Sequence, residues 1–126
     1  MDNGFDTLRE WSNSGEDRVT LDLGIRRMTN FADKDGHRIE WNVAVFDGKK
    51  TREARLTLWQ PGRLTLFLTP KEGFVGRLHA LEIARLPKNE DWDLFQYEMN
   101  ARELDEEVNL KFHSLEVAQL EPANEG

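Results

Sequence analysis

Apolar and polar residues alternate through the first half of the chain. Val19, Leu21, Leu23 and Ile25 take every second position, followed by Ile39, Trp41, Val43 and Val45, then Ala54, Leu56 and Leu58, then Leu64, Leu66 and Leu68. Thr20, Asp22, Arg38, Glu40, Asn42, Arg55, Thr57, Arg63 and Thr65 fall between them. A period of two belongs to a strand with one buried face, so four half-buried strands are predicted. Glycines 36, 48, 62 and 73 punctuate the pattern at intervals of 12, 14 and 11 residues. A turn every dozen residues is the mark of a meandering antiparallel sheet. Gly24, inside the first strand, predicts a bulge or the close approach of another backbone. Phe46, Trp59 and Phe67 interrupt the polar face, so that face is partly covered or holds a ligand.

The ends of the chain read differently. Phe5, Leu8 and Trp11 are spaced by three behind Asp2 and Asp6, which predicts a short helix lying on the sheet. A strand is expected over residues 92–99. Asn100, with Glu103 three residues on, predicts a helical turn over residues 100–107.

One segment occurs twice. Residues 78–86 read LHALEIARL and residues 112–120 read FHSLEVAQL, and only Arg85/Gln119 changes charge. As helices, the apolar positions would scatter around the cylinder. As strands with an unbroken period of two, His79, Leu81 and Ile83 share one face, and so do His113, Leu115 and Val117. The repeat therefore predicts two equivalent strands of one sheet, spanning 77–87 and 111–122. If the copies were neighbours, His79 and His113 would offer imidazoles to a metal. However, Glu82 and Glu116 would then project from the opposite face, which argues against a shared site.

Composition narrows the function. A chain of 126 residues fits one domain with a single core. Within residues 1–126, a helix and loop occupy 1–17, a β-rich body 18–120 and a frayed tail 121–126. The expected fold is mainly β or α+β, a curved antiparallel sheet or sandwich of about six to eight strands with one or two short helices. Cysteine is absent, which rules out disulfides, thiolate nucleophiles and cysteine-bound zinc. No apolar run reaches the length of a membrane span and the N-terminus carries acids, so a cytoplasmic protein is expected. No glycine-rich phosphate loop or nucleophile elbow occurs. Asp33, Asp35 and Gly36 lack the flanking acids of a calcium loop. No cofactor and no enzymatic activity are expected.

The net charge is −7, unevenly spread: residues 1–86 hold 14 bases and 13 acids, and residues 87–126 hold 3 and 11. Nucleic-acid phosphates and anionic lipid repel a protein of this sign, whereas a basic protein attracts it. The stretch best suited to such a partner is Asp91, Trp92, Asp93, Phe95, Tyr97 and Glu98, continued by Glu103, Asp105, Glu106 and Glu107. Here aromatics would anchor the partner and acids would steer it. The alternative is a ligand-binding β-domain in which Phe46, Trp59 and Phe67 line a concave face for a lipid or sugar. An unrecognised hydrolase ranks third.

In its late strands, where aliphatic residues surround a short acidic step as in LHALEI and FHSLEV, the chain resembles small acidic β-rich bacterial immunity proteins of the immunity-protein 50 type. That resemblance implies a non-catalytic inhibitor that occludes the active site of a toxin.

Overall fold

The computed structural model describes residues 4–12, 15–48, 50–88 and 93–120. One helix, α1 (Gly4–Glu10), precedes eight strands: β1 (Arg18–Asp33), β2 (Gly36–Asp47), β3 (Lys50–Trp59), β4 (Thr65–Phe67), β5 (Gly76–Arg85), β6 (Tyr97–Glu103), β7 (Glu106–Phe112) and β8 (Ser114–Gln119). They form a single antiparallel sheet in the order β4-β7-β6-β5-β1-β2-β3-β8. The mainly-β architecture and the short N-terminal helix match the sequence pattern. The helical turn expected over 100–107 is instead a β6–β7 hairpin, with Glu103 paired to Glu106 across Leu104 and Asp105. Burial of alternate residues Met99, Ala101, Val108 and Leu110 outweighs the local capping preference.

The sheet is rolled, and its connectivity requires this. β7 lies second from one edge and β8 forms the other, yet only His113 separates them along the chain. One residue advances about 3.8 Å, so the two ends of the sheet must come together. Residues 50–67 and 107–119 consequently run side by side, with β3 on β8 and β4 on β7. Where the ladders break, Gly62 N–H donates to Lys111 O at 2.8 Å and His113 N–H donates to Trp59 O at 2.9 Å. The edge strands β4 and β8 share no ladder, so the sheet is not closed.

β1 forms a second corner. Its first half pairs with both β5 and β2, its second half with β2 alone, and an extra residue at Arg26 bends it between the two. For Gly24 the bulge reading holds, whereas the close neighbour is a side chain and not another backbone. The glycine sits between two bulges, and a Cβ there would fall 2.6 Å from the Phe74 ring.

The inward faces of all the strands except the short β4 supply a packed interior in which Trp41, Leu56, Leu58, Leu81, Ile83, Met99 and Phe112 are fully buried. α1 adds Phe5 and Leu8 to the same core. Gly4 lets the helix approach β8, because a Cβ there would lie 2.6 Å from Leu115 O. The helix thereby packs on an edge strand that would otherwise be open.

The repeat marks two places where alternation slips. Leu78 and Leu81 are both buried although three residues apart, and so are Phe112 and Leu115. In β5 the slip is a bulge at His79–Ala80, because Leu23 pairs with Leu78 while Leu21 pairs with Leu81. In the second copy it is the break at His113 between β7 and β8. Neither histidine shares a face with the leucine two positions on, contrary to an unbroken period of two. Nor are the copies neighbours, since β6 separates β5 from β7 and β8 lies at the far edge.

Candidate functional site

The acidic and aromatic run disperses in the fold. Asp91 and Trp92 lie outside the described residues. Asp93 is exposed, and Phe95 is half-buried against Gly62, whose added Cβ would meet its ring at 2.7 Å. Tyr97 is a core residue, 7% exposed, with its ring 5.6 Å from Phe112 and 5.7 Å from Phe5. Glu98 is half-buried and accepts from Asn109 Nδ2 at 3.3 Å.

The later acids serve the backbone. Glu103 accepts the N–H groups of His79 at 2.7 Å and Ala80 at 3.0 Å, and its other oxygen lies 3.1 Å from His79 Nδ1. Burial raises its pKa, but the hydrogen bonds from Ala80 and His79 and the His79 charge outweigh this and hold it below the usual carboxylate range. Glu106 is 2% exposed and accepts the Arg77 N–H at 2.7 Å, so it is no part of a docking surface. Asp105 pairs with Lys71 at 3.1 Å, and that hydrogen bond raises the lysine pKa. Glu107 stands opposite Arg102 on one side and Phe67 on the other. The run thus closes the hairpin onto β5 and leaves Asp93, Glu98 and Glu107 as its outward part.

Phe46, Trp59 and Phe67 do not converge. Phe46 packs edge-on against Phe74 at 6.1 Å beneath the Arg77 guanidinium, at the end of β2 remote from the residue that pairs with Trp59. Trp59 lies under Arg38, and Phe67 is exposed on β4. They line no common concave face. His79 and His113 are likewise apart in use: His113 Nδ1 lies 2.6 Å from Ser114 Oγ. Among the described residues no group of three or more His, Cys, Asp or Glu is placed to hold a metal. No described helix is long and apolar enough to cross a membrane.

What the fold does assemble is an outward lattice across four strands. The register of β1, β2, β3 and β8 aligns Arg27, Asn42, Arg55 and Ala118 in one row, then Thr29, Glu40, Thr57 and Glu116, then Phe31, Arg38, Trp59 and Ser114. The Arg38 guanidinium sits 4.4 Å from the Phe31 ring and 5.3 Å from Trp59, and forms ion pairs with Asp33 at 3.1 Å and Glu40 at 3.6 Å. Glu40 also meets Arg55 at 3.8 Å. Two depressions of about 380 and 330 Å³ lie on this face and share Glu40 and Arg55 in their walls. Thr57, only 7% exposed, lines the larger one.

The charges at the middle of the lattice are paired, whereas those at its ends are not. Among the described residues neither Arg27 on β1 nor Glu116 on β8 forms an ion pair. The polar alternation in the sequence identified several of these residues as outward, but only the strand register brings Arg27 and Glu116 onto one face. No known protein family, curated protein or solved structure matches this chain.

Proposed function

We propose that this is a non-catalytic binding protein of the inhibitor type, drawn to a basic protein partner and engaging it through its outer surface. The observation that carries this reading is the division of the molecule. Apolar side chains from the strands and from α1 fill the interior, while the lattice across β1, β2, β3 and β8 presents polar, charged and aromatic groups outward. The net charge of −7 supports long-range attraction to a positive surface. The lipid or sugar alternative draws no support from Phe46, Trp59 and Phe67, which face different surroundings.

The test is affinity purification of the tagged chain from its own cells, followed by reconstitution with the recovered partner. A basic partner is expected. Its association should slow by about tenfold or more between low and physiological salt, and binding should suppress its activity. Recovery of only neutral or acidic partners, or unaltered partner activity in the complex, would overturn the reading.

A further inference from the structure

We infer that the lattice on β1, β2, β3 and β8 is a bipolar docking groove for an extended peptide segment of the partner, one carrying an acid and a base about four residues apart. This deepens the binding-protein reading and rests on it.

The argument begins with which charges are already used. Arg38 is neutralised by Asp33 and Glu40, and Arg55 by Glu40, so the middle of the groove has little net demand for a counter-ion. The two ends differ. Arg27 stands at the β1 end and Glu116 at the β8 end, both exposed, of opposite sign and unpaired among the described residues. Three inter-strand spacings separate their strands, about 14 Å. An extended chain covers that distance in about four residues. A segment with an acid at one end and a base at the other therefore matches Arg27 and Glu116 together.

The floor and walls suit the intervening residues. The two depressions adjoin, with Glu40 and Arg55 standing in the walls of both, so that together they extend across the four strands. Thr29, Asn42 and Thr57 offer hydroxyl and amide groups along them, and Val117 and Ala118 keep the β8 end shallow. Small side chains fit there, while the ring of Trp59 and the aliphatic stem of Arg38 form one wall. A purely basic or purely acidic segment would satisfy one end and be repelled at the other.

The experiment uses a synthetic probe, acetyl-Glu-Ala-Ser-Ala-Lys-amide, titrated into the full chain while backbone amide shifts are followed. Saturable shifts are expected at Thr29, Asn42, Thr57 and Val117. The same peptide with two glutamates or two lysines should bind about tenfold more weakly or worse. Arg27→Glu alone and Glu116→Lys alone should each weaken binding by a similar factor. The double variant should restore it to within about threefold, because an inverted groove accepts the same peptide in the opposite direction. Glu72→Lys, an exposed change on the turn between β4 and β5, should leave peptide binding unchanged. Absence of saturable shifts, equal binding of the three peptides, or failure of the double variant to recover while its melting temperature stays unchanged would overturn the groove. A recovered partner whose affinity ignores these swaps would also remove the groove, yet leave the binding-protein reading standing. Peptide binding without any basic partner would do the reverse.

Discussion

Glu103 takes the place of a strand carbonyl beside His79. At the β5 bulge the backbone N–H groups of His79 and Ala80 turn to this carboxylate, at 2.7 and 3.0 Å, rather than to β6 backbone. A bulge leaves donors that the ladder cannot satisfy, and a charged acceptor is the strongest substitute. Glu106 does the same for Arg77 N–H one turn of the hairpin later. The β6–β7 hairpin is thus fastened to β5 by two side chains where its ladder with β5 ends.

The first prediction is a pH dependence. Hydrogen bonding depresses the pKa of Glu103 against the opposing effect of burial. A carboxylate with a depressed folded pKa contributes stability that is fully present above its unfolded value, here 4.5, and is lost as pH falls through the folded one. Glu103→Gln removes the charge and keeps one acceptor. It should lower stability at neutral pH by about 1–3 kcal/mol and flatten the acid limb of the stability profile below pH 4.5. Urea unfolding of both proteins across that range checks it, and parallel pH profiles would count against the role given to this carboxylate.

The second concerns the split within the acidic run. Tyr97 stacks on Phe112 and touches Phe5 in the interior. Tyr97→Ala should therefore destabilise by about 3–5 kcal/mol through cavity formation. Glu98→Gln, on the outward side of the same strand, should stay within about 1 kcal/mol of the parent. Equilibrium denaturation separates the two, and a loss no larger for Tyr97→Ala than for Glu98→Gln would contradict the β6 face assignment.

The sequence made the first three alternating strands legible because each buries one face, as Val19 to Ile25, Ile39 to Val45 and Ala54 to Leu58 do. The fourth, expected from Leu64 to Leu68, shrinks to Thr65–Phe67, with Leu64 37% exposed. The helix was legible from the spacing of Phe5, Leu8 and Trp11. The expectation failed where the deciding partner is remote. Nothing near His79 announces that Glu103 will accept its N–H, so the bulge and the slip of the repeat were invisible. Asn100 and Glu103 carry a local capping signal, but burial of their neighbours in the β6–β7 ladder decides the outcome. Charge likewise reads as exposure in a sequence, and Glu106 contradicts it only because Arg77 N–H needs an acceptor. The groove was partly legible, since alternation marked Glu40, Asn42, Arg55 and Thr57 as outward. The placement of Arg27 and Glu116 at its two ends depended on a register set across four strands.

The third prediction compares two glycines with similar close approaches and different neighbours. A Cβ on Gly4 would lie 2.6 Å from Leu115 O and 3.0 Å from its carbon, both backbone atoms of β8. A Cβ on Gly24 would have the Phe74 side chain as its nearest neighbour, also at 2.6 Å. Gly4→Ala must push α1 off the β8 edge and should destabilise by about 1–3 kcal/mol. Amide exchange at Leu115 and Val117 should accelerate with it. Gly24→Ala should instead displace Phe74 from Phe46 and Arg26, leaving exchange in β8 unchanged. Identical exchange patterns in the two variants would argue against α1 guarding β8.

The last prediction is a stabilising one, in the turn that joins β4 to β5. Lys71 pairs with Phe74 across Glu72 and Gly73, and both central residues have positive φ, 53° and 86°. Two successive left-handed residues define a tight hairpin turn that asparagine followed by glycine suits best. Glycine satisfies the second position, but a glutamate at the first brings Cβ too close to the following carbonyl. Glu72 is exposed and makes no ion pair among the described residues, so replacing it sacrifices no contact. Glu72→Asn should raise stability by about 0.5 kcal/mol and shift the urea midpoint upward with an unchanged slope. Glu72→Pro, whose ring fixes φ near −65°, should break the turn. That change would loosen the Lys71 contact with Asp105 and weaken the hold of the β6–β7 hairpin. An asparagine variant no more stable than the parent would show that the left-handed backbone at position 72 carries no strain.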